Sequence, residues 1–473
     1  MLEDKINKDT LKIESFNDEI LREYDIRGLV GKNLTINTAY SIGIKFGSIV
    51  YKNTKDKKIV VGYDGRPSSK QLQEALCHGL TESGLSVILI GLCPTPMLYF
   101  ATFNLKIEAG IMVTGSHNPS EYNGFKMVLN YKPFYSTRIK DLQKDIHLKN
   151  DKEIEKGNLV EYNILENYVH RVLENINIDK KLKVAWDPGN GTIGVTIKKV
   201  LENLDNVESF LINDVVDGTF PNHHPDPTIP KNLIQIQNLV KEKNCDVGLA
   251  FDGDGDRLGI IDNQSNIIWA DRYMILLTEE ISKLYNNPSI IMDVKSSKVF
   301  FDEVRKMNCN PVMYKTGHSV IKDKMEEIDS PLSGEMSGHI MYKDNFYGYD
   351  DAMYVALRFL QILSKKNEPL SVIMNTFPKT ASTPETRFDV DESRKFKIIE
   401  EIKDRLSNMN LKVVNIDGVR VENDNGWWGI RASNTQNALT VRAEAINDNY
   451  LLKMKENIEN QLKLSGVNFK FSS

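Results

Sequence analysis

Three carboxylates on alternate residues, Asp252, Asp254 and Asp256, stand in the run Asp252-Gly-Asp-Gly-Asp-Arg257, separated by Gly253 and Gly255 and closed by Arg257. On a locally extended backbone, residues at i, i+2 and i+4 point the same way, so the spacing predicts side chains that converge on one point. Carboxylates packed so closely repel one another unless a cation lies among them. Hard oxygen ligands on a short loop suit Mg2+, which commonly keeps positions open for water and a phosphate oxygen. The chemistry expected is therefore on phosphate. A calcium-binding EF-hand loop also opens with alternating acids, but it needs Gly at its sixth position and Glu at its twelfth, where this chain has Arg257 and Asn263. A solvated acidic turn would explain the polarity but not the strict alternation, nor the apolar runs 247–251 and 258–261 on either side.

Three further segments carry groups that could work with such a metal. An apolar run, 108–114, ends in Gly115-Ser116-His117-Asn118-Pro119, followed shortly by Lys126. A serine on a strand-end loop beside an imidazole is a candidate nucleophile, although the same residues fill ordinary turns. Ser333-Gly334-Glu335-Met336-Ser337-Gly338-His339 offers a carboxylate, a hydroxyl and an imidazole that can read sugar hydroxyls. A plain glycine-rich loop is the competing reading. Arg431-Ala432-Ser433-Asn434-Thr435 joins a guanidinium to hydroxyl and amide donors, a combination suited to gripping phosphate. Its alternative is a capped turn.

A repeated unit predicts how these segments are positioned. The runs 58–64, 183–187 and 289–293 are each apolar and end in Asp. Each is followed by a helix-length segment, then a second apolar run at 87–90, 209–212 or 311–314, then a third that ends in one of the loops above. Strand, helix and strand in succession imply right-handed crossovers and mainly parallel or mixed sheets covered by helices. Ligands in such sheets bind beyond the carboxyl ends of the strands. The expected fold class is α/β: three similar α/β domains with mixed sheets, plus a C-terminal α+β domain, arranged around a central active-site cleft. The last domain reads as strands at 385–390, 411–416 and 438–445 with helices at 393–408 and 450–464.

The 473 residues exceed what one hydrophobic core normally supports. Hydrophobic and charged fractions of 41% and 26% are those of a globular protein, and a net charge of -5 argues against a nucleic-acid surface. No apolar run is long enough to span a bilayer, and the first residues resemble neither a signal nor an anchor. Cys77, Cys93, Cys245 and Cys309 lack metal or redox spacing and read as small buried residues of a cytoplasmic protein.

Taken together, TGSHNP, DGDGDR, GEMSGH and RASNT, in this order, resemble the α-D-phosphohexomutase family. Tyr24-Asp25-Ile26-Arg27-Gly28 and Pro221-Asn-His-His-Pro-Asp-Pro227 extend the match across nearly the whole chain. GEMSGH is the form of the phosphomannomutase/phosphoglucomutase branch, whereas phosphoglucosamine mutases usually carry Gln at the position of Met336. The resemblance implies four domains, with boundaries that divide the chain into 1–161, 162–266, 267–378 and 379–473. It implies reversible transfer of phosphate between C1 and C6 of mannose or glucose through a phosphoserine and a hexose 1,6-bisphosphate, which is also the activator.

Ser116 would carry the phosphate and, with Asp252, Asp254 and Asp256, hold one Mg2+. Arg257 would contact phosphoryl oxygens, and Lys126 or His339, with Arg27 and His117 nearby, would move protons. A lysine base needs a depressed pKa, which neighbouring cations such as Arg27 could provide. Tyr24, Lys295, His318, Glu335 and Ser337 would bind the sugar or its phosphate. Arg431, Ser433, Asn434 and Thr435 would grip the phosphate that is not reacting.

Where many relatives continue Thr-Pro after this last loop, the chain has Gln436-Asn437. Asp350-Asp351 reads as exposed turn charge, and Trp427-Trp428 as packing. The partners expected are hexose phosphates, in a monomer or weak homo-oligomer, with no nucleic acid or membrane. A phosphoglucosamine mutase, a metal-dependent sugar-phosphate phosphatase and a non-catalytic sensor are the alternatives. A hinge is expected near 376–384, closing the C-terminal domain over substrate.

Overall fold

The three repeats fold into four-stranded units with one strand order. In the first, strands Lys58–Tyr63, Ser86–Leu92, Ala109–Val113 and Tyr122–Leu129 follow one another along the chain. The second uses Leu182–Asp187, Val207–Leu211, Val247–Phe251 and Leu258–Asp262, and the third Ser289–Asp293, Asn310–Tyr314, Leu332–Gly334 and Ile340–Tyr342. In every unit the first strand is central, the second and third lie parallel on its two sides, and the fourth runs antiparallel beside the third. The turn between third and fourth strands carries Ser116 in the first unit, Asp252 to Asp256 in the second and Glu335 to His339 in the third. The sheets are therefore mixed, and the three loops occupy equivalent places. The third strands of the first two units are buried along their whole length, as expected for strands covered on both faces. The structure is a computed structural model describing residues 6–143, 155–433 and 437–471.

Strand Ile26–Leu29 extends the first sheet, pairing Arg27 with Gly124 beside the serine loop. The C-terminal unit is a six-stranded antiparallel sheet with helices Glu392–Ser407 and Asp448–Leu464. Two of its strands, Val419–Asn423 and Gly426–Ala432, lie where the sequence suggested none, so Arg431 sits on a strand rather than on a free loop. The first of these, Val-Arg-Val-Glu-Asn, alternates apolar and polar residues, yet its polar face is buried too, because Arg420 and Glu422 pair at 2.8 Å. Trp427 and Trp428 are buried, as their packing role requires. All four cysteines are free and buried, and no helix among the described residues is long and apolar enough to cross a membrane.

One hydrophobic core runs through the first three units, from Val60 and Leu98 through Trp186 and Phe251 to Phe300 and Phe359. The C-terminal unit has a core of its own around Ile402, Val421 and Ile458. It docks on the third unit largely through polar contacts. Arg420 Nη1 donates to the carbonyls of Val294 and Ser296 at 2.6 and 2.7 Å, Arg442 Nη1 to that of Lys295 at 2.7 Å, and Ser297 Oγ to Glu444 at 2.8 Å.

Helix Ala352–Ser364 is buried on every side, the pattern of a helix inside a core. Asp350 and Asp351, expected as exposed turn charge, are instead buried at its N-terminus. Asp351 caps the helix, accepting from Tyr354 N–H and from the Tyr168 hydroxyl, both at 3.0 Å. Burial pushes its carboxyl up to about 7. A folded value above the unfolded one makes this group's contribution to stability full below the ordinary carboxylate range, and that contribution is lost as pH rises toward 7. Asp351→Asn keeps an acceptor for both donors and removes the titration. The melting temperature of the variant minus that of the parent is expected to become more positive from pH 4 to pH 7 and then to level off; a constant difference in thermal melts across that range would contradict it.

Candidate active site

The serine loop is held by a buried ion pair at the end of the first central strand. Asp64 Oδ2 accepts from Thr114 Oγ1 at 2.8 Å and Gly115 N–H at 3.0 Å, and it pairs with Arg66 Nε at 3.1 Å. Arg66 Nη2 then donates to the carbonyls of Ser116 and Asn118 at 2.7 and 2.6 Å. These contacts fix Ser116 in the left-handed backbone region, at φ 51°, where non-glycine residues are uncommon and mark functional sites. Ser116 Oγ lies 3.2 Å from His117 Nδ1 and 3.3 Å from Asp252 Oδ2. Burial and the nearby Arg257 and Arg27 hold His117 well below the usual histidine range, so its imidazole is neutral. Asp64 and Arg66 were not recognisable as site residues in sequence, although Asp64 closes an apolar run of the repeat.

The acidic segment is a turn and not the extended backbone expected. Gly255 takes φ 76°, and Gly255 N–H donates to the carbonyl of Asp252 at 3.2 Å. Gly253 is needed for approach: a Cβ there would lie 2.5 Å from the Ser116 carbonyl. Asp252 Oδ1 accepts from Asp256 N–H and Arg257 N–H at 3.0 and 3.1 Å, aiming the other carboxylates inward. All three are fully buried, and one ligand oxygen from each lies within 4.8 Å of the others. Asp254 Oδ1 and Asp256 Oδ1 accept no hydrogen bond from the described residues, His339 Nδ1 standing 3.5 Å from the second. Buried carboxylate oxygens without donors are costly, and the donor set is all oxygen, so the residues fit a hard divalent cation. Burial and the adjacent Asp256 and Asp254 push Asp252 well above the usual carboxylate range.

Lys126, on the fourth strand of the first unit, reaches Asp254 at 2.7 Å and Asp256 at 2.5 Å. Burial alone would lower its pKa, but these carboxylates raise it well above the usual lysine value. Where a lysine base with a depressed pKa was expected among cations, the structure instead gives Lys126 two anionic partners. Arg27, cast as the depressing cation, instead pairs with Asp25 and donates to Asn118 Oδ1 at 3.0 Å.

The third loop meets the second through Arg257 Nε, which donates to His339 Nε2 at 2.9 Å. His339 Nδ1 faces Asp350 Oδ2 at 2.9 Å. Asp350 also meets Lys322 at 2.5 Å and His318 Nδ1 at 3.2 Å, and the two imidazoles stack at 5.0 Å. Burial and Lys322 push His318 down to about 4. A neutral ring suits a sugar hydroxyl better than it suits a phosphate. Glu335 accepts from Gly317 N–H at 2.6 Å, and Tyr24 donates to the carbonyl of Thr316 at 2.6 Å, joining the first unit to the third. Ser337 is half-buried on the same turn.

The C-terminal unit brings Arg431 beside this group. Its guanidinium meets Asp417 Oδ2 at 3.1 and 3.2 Å, and the same oxygen accepts from Thr316 N–H at 3.1 Å. Lys295 pairs with Glu385 at 2.9 Å. Ser433 N–H donates to the carbonyl of Ala438 at 2.9 Å. Asn434 and Thr435 lie outside the described residues.

Models of all four domains of one family match the chain. "Phosphoglucomutase/phosphomannomutase, alpha/beta/alpha domain I" covers residues 18–150, domain II 166–265, domain III 269–381 and the C-terminal domain 385–461. The chain belongs to the phosphoglucomutase/phosphomannomutase family. A phosphomannomutase/phosphoglucomutase of Pseudomonas putida is 41% identical over 445 residues, covering 94% of this chain and 96% of its own. A phosphoglucomutase of Neisseria meningitidis is 39% identical over 451 residues, with coverage of 94% and 96%. The crystal structure of a phosphoglucomutase/phosphomannomutase family protein from Burkholderia thailandensis superposes with a TM-score of 0.89 at 38% identity, spanning 96% of this chain and all of that one. As a phosphoglucomutase/phosphomannomutase family member the chain is a phosphohexomutase, an isomerase that moves phosphate between C1 and C6 of a hexose. The relatives favour neither the phosphoglucosamine nor the phosphatase reading.

Proposed function

We propose that Ser116 carries the phosphoryl group that this enzyme donates and takes back. The observation that supports the assignment is Ser116 Oγ, 3.3 Å from Asp252 in a loop whose other buried carboxylates keep oxygens that accept no hydrogen bond from the described residues. Asp252, Asp254 and Asp256, with Ser116, would hold one Mg2+, which when bound supplies positive charge to offset the charge gathering on a phosphoryl group in transfer. In the forward half-reaction the bond from phosphorus to Ser116 Oγ breaks, and a bond forms to the free hydroxyl of a hexose monophosphate. That hydroxyl loses a proton, and Ser116 Oγ regains one. His339, with Asp350 on Nδ1, would accept the proton at Nε2 once Arg257, which donates to that nitrogen at 2.9 Å, turns its guanidinium onto a phosphoryl oxygen. Lys126, as an ammonium, and Arg257 stabilise charge. The product of this half-reaction is a hexose 1,6-bisphosphate, which turns in the cleft and returns its other phosphate to Ser116.

Glu335, Ser337 and neutral His318 would read hydroxyls presented in both orientations, while Arg431, Lys295, Ser433, Asn434 and Thr435 hold the distal phosphate. Both glucose and mannose 1-phosphates are substrates in this reading, since the GEMSGH loop, with Met336, has the neutral-sugar form. An assay of the 1-phosphates of glucose, mannose and glucosamine, with glucose 1,6-bisphosphate present, tests it. Faster conversion of the glucosamine compound than of both neutral sugars would overturn the assignment.

Arg431→Ala is expected to raise KM for glucose 1-phosphate by roughly tenfold to a hundredfold, the range for losing a charge-assisted hydrogen bond. Turnover should fall as well, because a distal grip positions the reacting end. Steady-state kinetics with both parameters unchanged would remove Arg431 from the site.

A further inference from the structure

The two cations of the distal phosphate site already have anionic partners supplied by the chain. Arg431 is held by Asp417, and Lys295 by Glu385, with Asp293 3.8 Å from the same lysine. Arg387 stands 3.7 Å from Glu385 on the outer side. The cavity that Lys295, Glu385, Asp417 and Arg431 line has a volume of about 20 Å³, room for about one water molecule. No phosphate fits there while the carboxylates keep these positions. Although burial works against ionisation, Lys295 and Arg431 bring Glu385 down to about 2, so it remains an anion throughout the working pH range.

A clamp built only for affinity would leave its guanidinium and ammonium open to solvent. A mutase needs something different, since the bisphosphate must leave this grip, turn and be gripped again. We infer that Asp417 and Glu385 are positioning residues that stand in for the departing phosphate, occupying Arg431 and Lys295 as the sugar lets go. The inference rests on the distal-phosphate role proposed above. Exchanging one anion for another spares the two cations a desolvated, unpaired state, the costly alternative in a buried site. It also lowers net phosphate affinity, because each incoming phosphate must displace a carboxylate. The pairing with Thr316 N–H keeps Asp417 near enough to return.

The prediction runs opposite to what a supporting role would give. If the carboxylates only prop the cations in place, neutralising them weakens phosphate binding. If they compete with phosphate, neutralising them strengthens it. Inorganic phosphate binding to the full-length protein is measured by calorimetry for the parent, Asp417→Asn, Glu385→Gln and Arg431→Ala. Glu385→Gln is run beside Asp417→Asn because Glu385 is the more exposed of the two and its replacement disturbs less packing. The expected result is tighter binding, by roughly tenfold, in each carboxylate variant, the scale set by removing one nearby like charge from a partly screened site. KM for glucose 1-phosphate falls, turnover falls with it, and less labelled bisphosphate escapes into solution per turnover. Unchanged or weaker binding in the carboxylate variants, with Arg431→Ala weakened, overturns the stand-in role and leaves the phosphate site intact. Parent-like binding by Arg431→Ala would instead remove the phosphate site on which the inference depends.

Discussion

Ser116→Ala is expected to abolish mutase turnover, with a loss of about 10³-fold or more, while the protein keeps its fold. The size follows from removing the atom that forms and breaks the covalent bond. No other group in the loop replaces it: His117 is held neutral 3.2 Å from Ser116 Oγ and is itself oriented by the loop. Stability should change little, since the contacts that hold the loop use the Ser116 carbonyl and N–H, which alanine retains. Mass spectrometry after incubation with glucose 1,6-bisphosphate should place phosphate on Ser116 in the parent and nowhere in the variant. Phosphate at another residue together with retained turnover in Ser116→Ala would show that the donor lies elsewhere.

Asp254→Asn should cost nearly as much, about 10²- to 10³-fold in turnover, the scale seen when one group that stabilises transition-state charge is removed. Asp254 meets Lys126 at 2.7 Å and Thr95 Oγ1 at 2.5 Å, and its Oδ1 is unpartnered. Asparagine keeps an acceptor for Thr95 but loses the charge that a divalent cation requires. Titration of Mg2+ against turnover should show a raised requirement in the variant that excess metal only partly restores. A variant with parental turnover at limiting Mg2+ would take the acidic loop out of the reaction.

Features that depend on a few neighbouring residues were legible in the sequence. The alternation of Asp252, Asp254 and Asp256 marked the convergent acidic cluster, and apolar runs ending in Asp marked the repeat, because burial of a central strand on both faces leaves that signature. The strand Val419–Asn423 shows a short apolar and polar alternation that was passed over, but the burial of its polar face was not legible, since Arg420 donates to carbonyls of the third unit more than a hundred residues away in the chain. Asp350 looked like turn charge for the same reason. Its partners, Lys322, His318 and His339, come from other segments, and only the fold makes it a buried hub. The surroundings of Lys126 were not legible because the sequence showed its cationic neighbours in the family motifs but not its distance to two carboxylates. Asp417 and Glu385 are single acids with no local pattern, visible only once a cavity surrounds them.

The core that runs without interruption through the first three units also limits how such a protein can be taken apart. Each repeat has the same strand order, as if copied, and the first keeps a core of its own around Phe46 and Ile111, yet all three also share one apolar mass that joins Leu98 of the first to Trp186 of the second and Phe359 of the third. A repeat cut away from its neighbours would expose that surface to water and aggregate. The C-terminal unit, with its own core, should survive excision as a folded piece. Cutting the chain would therefore be tolerated at the junction before the C-terminal unit and punished at the other two.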